Sequence, residues 1–365
     1  MKFLDIVKQF NIEDIVMSIE PYGNGHINDT YFVKCEGKNN YILQRLNTTI
    51  FTNYVGLMNN IGLVCDYMQK IIAQVGGDAD REALKLIPTR SGSNFLLDNN
   101  SCWRMYLNIE NTIAYQIVDN AEMFANSGEA FGKFIAVLDG FDAHQLCEVI
   151  PNFHNTVDRF NKLEKAIENN LSDRKEMCLE EIRFAFDRKD YCQMIVNAID
   201  KQEIPLRVTH NDTKLNNVLM DAVSGKAVCV IDLDTIMPGS LLYDFGDSVR
   251  FGCNTALEDE SDLSKVDFDI NLYDAYCKGF LSGIGKKITL KELDMLHIGS
   301  IMMTYECGMR FLTDFLDGDK YFKTHYDIHN LVRARNQFRL VSRMEACSQQ
   351  MIEIAGKHYS EMLNK

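Results

Sequence analysis

Hydrophobic and polar positions change their rhythm partway along the chain. Over residues 18–107, short β-rich runs alternate with turn residues: Thr30-Tyr31-Phe32-Val33, the turn Glu36-Gly37-Lys38-Asn39-Asn40, then Tyr41-Ile42-Leu43. Leu84-Lys85-Leu86-Ile87-Pro88, Asn94-Phe95-Leu96-Leu97 and Ser101-Cys102-Trp103-Arg104-Met105-Tyr106 read as further strands. One helix interrupts them near Asn53 to Gln74, where Leu57, Ile61, Val64, Met68 and Ile71 recur every three or four residues. From about Asp119 the period is helical: Phe124, Gly128, Phe131, Ile135 and Leu138 share one face, and Val157, Phe160, Leu163 and Ile167 share another. Thr289-Leu290-Lys291-Glu292 fits a capping box, and it predicts a long helix carrying Leu293, Leu296, Ile301, Tyr305 and Met309. Within this helical part, Leu206 to Asp234 reads as short strands and loops. The polar run Asn108-Ile109-Glu110-Asn111-Thr112 marks the boundary. The pattern predicts an α+β chain: a β-rich first domain over 1–108 and a larger helical domain over 109–365.

Composition narrows the function. The 365 residues carry 38 Lys+Arg against 52 Asp+Glu, a net charge of −14, so nucleic acid and anionic membrane surfaces are poor partners. Eleven cysteines, an odd number without a C-x-x-C pair, read as reduced and mostly buried thiols. Met1-Lys2-Phe3-Leu4-Asp5 lacks the apolar stretch of a signal peptide, and no apolar run approaches the ~20 residues of a membrane span. A cytoplasmic location is expected.

The chemistry concentrates in Arg207-Val208-Thr209-His210-Asn211-Asp212-Thr213-Lys214-Leu215-Asn216-Asn217, a His-x-Asp with an Asn five residues after the Asp. Val218-Leu219-Met220, a turn at Ser224-Gly225 and Val228-Cys229-Val230-Ile231-Asp232 follow, a hairpin that delivers Asp232 beside Asn217. Phosphoryl transfer needs this set: one carboxylate to orient and deprotonate a hydroxyl, and an amide oxygen with a second carboxylate to hold Mg²⁺ on nucleotide phosphates. The competing reading is a turn in which Asp and Asn cap backbone amides.

The run H-N-D-T-K-L-N-N-V-L-x-D, with V-I-D-L-D-T-I-M-P-G and Y-D-F-G-D after it, resembles the aminoglycoside phosphotransferase-like kinases. Within them the chain is most similar to the N-acetylhexosamine 1-kinases. That likeness extends to Tyr22-Gly23-Asn24-Gly25-His26-Ile27-Asn28, Tyr41 through Asn47, Trp103-Arg104-Met105-Tyr106, and the segment from Gly308 to Phe322. The resemblance implies a bilobal protein-kinase-like fold, with a small β-rich N-lobe and a larger helical C-lobe. It further implies ATP as co-substrate, Mg²⁺ as cofactor and a small-molecule sugar as acceptor. By it, Asp212 is the base on the anomeric hydroxyl, and Asn217 and Asp232 hold the metal. Arg310 and Tyr321 bind the sugar, with Asp314 a further candidate. His210 positions the loop.

Gly23-x-Gly25, with Asn24 between them, is the candidate phosphate loop, since glycines let backbone amides approach an anion; a plain hairpin turn is the competing reading. Kinases of this fold usually carry a Lys on the third strand, paired to a helix Glu. Here Tyr41-Ile42-Leu43-Gln44-Arg45 has none, and the next helix offers Asp66 or Gln69. Gln44 or Arg45 is the expected substitute. For Arg310 the competing reading is a helix-surface ion pair with Glu306 or Asp314, each four residues away. Choline, homoserine and aminoglycoside acceptors, or a non-catalytic nucleotide-binding role, stand as alternatives. His and Cys positions give no zinc spacing.

Overall fold

A computed structural model describes residues 3–23, 27–99 and 101–364. The described residues pack as two compact units, each built from separate stretches of chain. The first spans Met1–Ala114, Val137–Pro151 and Asn217–Pro238, and the second Tyr115–Ala136, Asn152–Asn216 and Gly239–Lys365.

In the first unit, α1 (Phe3–Val7) precedes an antiparallel sheet of β1 (Ile15–Pro21), β2 (Asp29–Glu36), β3 (Tyr41–Leu46), β4 (Leu96–Asp98) and β5 (Ser101–Leu107). The strand order is β1-β2-β3-β5-β4. Side chains alternate across the pleat, so Val33, Tyr41, Leu43, Trp103 and Met105 share one face and pack on Ile6, Val7 and Phe10. The other face carries Gln44 and Arg104, which are direct partners in the β3–β5 ladder. Next to the sheet in sequence is α2 (Tyr54–Gln74), whose first turn is capped by Asn53 Oδ1 accepting from Gly56 N at 3.1 Å. Leu57, Ile61, Val64 and Met68 are buried as the periodicity predicts, but Ile72 rather than Ile71 completes the buried stripe. A short α3 (Ala79–Glu82) follows.

Residues 84–88 form no strand. They meet β5 in a single bridge with two hydrogen bonds, Ile87 N to Met105 O and Leu107 N to Lys85 O, and the next donor on that side, Thr89 N, turns away to Ser93 O at 2.8 Å. A second sheet joins β6 (Thr112–Ala114) to the hairpin of β8 (Val218–Asp221) and β9 (Ala227–Val230), in the order β6-β8-β9. Asp221 Oδ1 accepts from Val223 N and Ser224 N and so shapes the hairpin turn.

The second unit is helical. It contains most of α4 (Ala121–Leu138), then α5 (Thr156–Asn169), α6 (Leu179–Phe186), α7 (Tyr191–Asp200) and the strand β7 (Arg207–Thr209). After β10 (Met237–Gly239) come α8 (Leu241–Gly252), α9 (Ile270–Ile284), α10 (Leu290–Asp294), α11 (Leu296–Asp317), α12 (His329–Ala346) and α13 (Ser348–Leu363). The Thr289–Glu292 capping box is present, yet it opens only the five-residue α10. The chain breaks at Met295 and restarts as α11, which is buried along nearly its whole length. Helices α4 and α9 meet backbone to backbone. A Cβ on Gly279 would lie 1.9 Å from Ala125 O, and one on Gly132 would lie 2.3 Å from Phe280 O. Only glycine permits that approach.

All eleven cysteines are free thiols; nine are buried, Cys347 is half-buried and Cys147 is exposed. Among the described residues no helix is long and apolar enough to cross a membrane.

Candidate active site

The His-x-Asp loop is held by buried ionic and hydrogen-bonding anchors within the second unit. Arg207, at the start of β7, donates to Glu292 Oε1 at 2.7 Å and Oε2 at 2.9 Å, and to the Lys287 carbonyl at 2.7 Å. Glu292 is fully buried, so this fork satisfies a charge that would otherwise be left bare. Two acids of α8, Asp244 and Asp247, stand three residues apart and share a helix face. Asp244 accepts from the backbone N–H groups of His210 (2.8 Å) and Asn211 (2.7 Å), where the chain takes a left-handed turn at Asn211, φ 65°. Asp247 accepts from Thr213 N at 3.1 Å and from Arg250 at 3.0 Å. The Thr213 hydroxyl donates to Asp244 O, and Ser248 Oγ to Thr213 O.

Electrostatics differ between these acids. Burial pushes the Asp244 carboxyl up to about 6, against the opposing pull of His210 and the two loop amides. At Asp247 burial also pushes up, but Arg250 and Lys214 outweigh it and hold the carboxyl below its ordinary value. His210 is fully buried with its ring against Phe131 and Phe134, and its Nδ1 accepts from Asp212 N at 3.3 Å, the posture of a residue that shapes the loop. Asp212 itself is half-exposed, with Lys214 Nζ 2.8 Å from its Oδ1. Burial lowers the Lys214 ammonium's pKa and Asp212 raises it, with a net rise, so the lysine stays charged beside the carboxylate. Neither Lys214 nor the two helix acids had been singled out as site residues from the sequence.

In the first unit the hairpin brings Asn217 and Asp232 together as predicted. Val218 pairs with Val230, and Ile231 N donates to Asn217 O at 2.9 Å, which sets the two residues at the open end of the same ladder. Asn217 is buried and Asp232 exposed, with Asp232 in the left-handed region at φ 60°. Oxygen-only donors of this kind suit Mg²⁺, which keeps few protein ligands and completes its shell with water and phosphate. No cluster of three or more His, Cys, Asp or Glu that could hold a metal occurs among the described residues.

Asp234 is buried two residues further on. Its carboxylate pairs with Arg104 of β5, and its Oδ2 accepts from Asn28 Nδ2 at 2.6 Å. Arg104 also donates through Nε to Gln44 Oε1 at 2.9 Å, and Gln44 Nε2 donates to Thr30 Oγ1 at 3.1 Å. Gln44 and Arg45, both expected at the nucleotide, point to opposite faces of β3. Arg45 pairs with Asp29 at the exposed rim and sits 5.9 Å over Trp103, on the face away from Arg104. Gln69 donates to Ala79 O at 2.8 Å and Asp66 is exposed, so the buried cation takes neither as its partner. Gly23 has φ 76°; Asn24 and Gly25 lie outside the described residues.

The C-terminal end of α11 carries the expected acceptor residues. Asp314 is buried, and its oxygens accept from the backbone of Lys320 (2.9 Å), Tyr321 (2.8 Å) and Phe322 (2.9 Å) and from Asn330 Nδ2 (2.9 Å). Four donors saturate the carboxylate, so Asp314 fixes the loop that presents Tyr321 and is not shaped to contact a sugar directly. Tyr321 is 73% exposed. Glu306 pairs with His154 at 2.9 Å, and the half-exposed Arg310 stacks over Phe153 (5.8 Å) and Phe322 (5.5 Å). Arg159 lies in the same field, its pKa lowered first by burial and then by Arg310.

A two-unit chain with a five-stranded antiparallel sheet in its N-terminal part and a largely helical C-terminal part has the bilobal protein-kinase-like fold. A model of the phosphotransferase enzyme family, APH, matches residues 18–281, and the chain belongs to that family of small-molecule kinases. Among solved structures it is similar to an aminoglycoside phosphotransferase from Alicyclobacillus acidocaldarius subsp. acidocaldarius DSM 446 (TM-score 0.58, 11% identity, 99% of this chain and 96% of that one). It is also similar to a microcompartment-associated aminopropanol kinase (0.55, 14%, 95% and 97%). A third is the amicoumacin kinase hAmiN, solved with AMP-PNP, Ca²⁺ and Ami (0.55, 12%, 92% and 92%).

Proposed function

We propose that the chain phosphorylates the anomeric C1 hydroxyl of N-acetylhexosamines such as GlcNAc and GalNAc, using ATP and Mg²⁺. The charge at the end of α11 carries this reading. Choline, aminopropanol and aminoglycoside acceptors are cations and call for open carboxylates. Here Glu306 is buried against His154 and Asp314 is buried and occupied by four amide donors, while Arg310 and Arg159 place positive charge in the same field. Arg310 and an exposed tyrosine suit a neutral, hydroxyl- and carbonyl-rich ligand. The Gly308–Phe322 string, which resembles the sugar-facing segment of the N-acetylhexosamine 1-kinases, supports the same choice.

In this mechanism Asp212 accepts the C1 hydroxyl proton. An anomeric hydroxyl is more acidic than an ordinary alcohol, so a carboxylate of ordinary basicity suffices late in a loose transition state. Lys214 pairs with Asp212 at 2.8 Å, and the Asp244 and Asp247 bonds hold the loop so that the carboxylate keeps its place. Asn217 and Asp232 would hold Mg²⁺, which when bound neutralises charge growing on the phosphoryl oxygens. Gly23, Asn24 and Gly25 are the nucleotide loop in this reading, since glycines let backbone amides approach phosphates, and Gln44 lies on the sheet face of Arg104.

A panel of sugars and amino alcohols with Mg-ATP, scored for ADP and for loss of reducing-end reactivity, tests the proposal. Free N-acetylhexosamines should turn over and their methyl glycosides should not. Phosphate at C6, or turnover of choline in preference to the sugars, would overturn the acceptor assignment and leave the family membership standing.

A further inference from the structure

A buried ion pair inside the first unit answers a question raised by the third strand, which lacks its usual lysine. Arg104 is 1% exposed and sits on β5, one strand away from the expected position and directly across the ladder from Gln44. Its guanidinium forks, with Nε on Gln44 Oε1 and Nη1 on Asp234 Oδ1. The other oxygen of Asp234 accepts from Asn28 Nδ2, and Asn28 Oδ1 accepts from Asn47 N at 3.0 Å. The network therefore ties three elements to the turn that carries Asp232: β3, β5 and the residue leading into β2. Asn28 also follows closely on the Gly23–Gly25 loop in sequence. Asp232 is in a left-handed conformation that a non-glycine residue keeps only when its surroundings fix it. The fixed point is Asp234, and Arg104 is what makes a buried Asp234 carboxylate tolerable.

We propose that Arg104 is a positioning residue for the metal-binding turn: through Asp234 it sets the Asp232 carboxylate, supplying from the neighbouring strand a buried cation where the third strand has no lysine. It does not touch nucleotide, because it is 1% exposed and its Nε and Nη1 are taken by Gln44 and Asp234. The inference rests on the reading of Asp232 as a metal ligand. Arginine matters here as a planar fork, since a lysine ammonium cannot span Gln44 and Asp234 with fixed directions.

Mn²⁺ binding in the presence of ADP, followed by electron paramagnetic resonance, tests it without turnover. Three variants are needed. Asp232→Asn checks the metal site itself. Arg104→Lys keeps the buried charge and so preserves folding. Arg104→Met/Asp234→Asn removes the charge pair together. Circular dichroism and melting temperature report folding for each.

The expected result is loss of ADP-dependent Mn²⁺ binding in Asp232→Asn. The double variant should weaken binding about tenfold or more, the scale of losses seen when outer partners of metal ligands are removed, and Arg104→Lys at least about threefold. Loss in Asp232→Asn with less than a threefold change in both Arg104 variants would overturn the positioning role alone. Wild-type binding in Asp232→Asn would overturn the metal assignment and this inference with it.

Discussion

Replacing Asp244 with Asn exchanges one carboxylate oxygen for an amide N–H₂ at a site where both oxygens now accept loop amides, at 2.8 and 2.7 Å. The variant keeps one bond and sets a donor against a donor at the other. That loses a charge-assisted bond worth about 1.5–3 kcal/mol and leaves a buried N–H unsatisfied at about 1–3 kcal/mol. Against this, it removes a buried charge. The carboxyl titrates at about 6 in the fold and near 3.9 in an unfolded chain, a rise of roughly 2 units, or about 3 kcal/mol that disfavours the ionised form above pH 6. Between those values the folded chain holds a proton that the unfolded chain has released, so wild-type stability falls as pH rises through the window. The Asn variant has no such slope. Its destabilisation relative to wild type should therefore be greater at pH 4.5 than at pH 7.5, by about 2 kcal/mol. Urea unfolding of both proteins at the two pH values measures it. A destabilisation that is independent of pH, or larger at pH 7.5, would refute the idea of a carboxylate held ionised against its burial.

Asp212→Asn should lower kcat by about 10² or more with little change in sugar KM, because shape is kept and only the proton acceptor is lost; steady-state kinetics decide it. Arg310→Ala should do the reverse, raising sugar KM through lost hydrogen bonds worth about 1–3 kcal/mol while kcat holds, and an unchanged KM would remove Arg310 from the acceptor site. Gly279→Ala should destabilise the protein by about 1–3 kcal/mol despite alanine's better helix propensity, since its methyl would meet Ala125 O at 1.9 Å. Equal or higher urea resistance would mean that α4 and α9 can separate without penalty.

Local rules made much of the molecule readable. Alternation located β2, β3 and β5, the helical period found α2, α4 and α5, and the Thr289–Glu292 box is formed as its spacing requires. The hairpin placed Asp232 beside Asn217 because a ladder's register is itself a short-range property. What escaped depends on partners distant in the chain. Arg104 meets Asp234 across 130 residues, and nothing in Trp103-Arg104-Met105-Tyr106 announces a buried cation. Asp314 reads as a polar residue near a candidate sugar site until four donors from the following loop and Asn330 are seen to occupy it. That residues 217–238 pack with the first unit rests on bonds such as Arg81 to Asp221 at 2.6 Å and Asn60 to Ile236 O at 3.0 Å, which no periodicity encodes. The interruption at Met295 escaped for another reason, since the apolar period runs through the break.

The distribution of the thiols turns the protein into its own reporter of opening. Burial lifts Cys65 and Cys192 to about 12 and Cys102, Cys178 and Cys307 to about 11, so at pH 8 only about 10⁻³ to 10⁻⁴ of each is the reactive thiolate. Cys147 stands apart, exposed, with its backbone N–H bonded to Asn60 Oδ1 at 3.0 Å. A thiol-reactive dye would mark that position and, more slowly, the half-buried Cys347 in the native protein, and each further label would record an excursion that bared a segment of the core. Because the buried thiols are spread over both units, the order in which they become alkylated would rank segments by how readily they open, with no engineered probe.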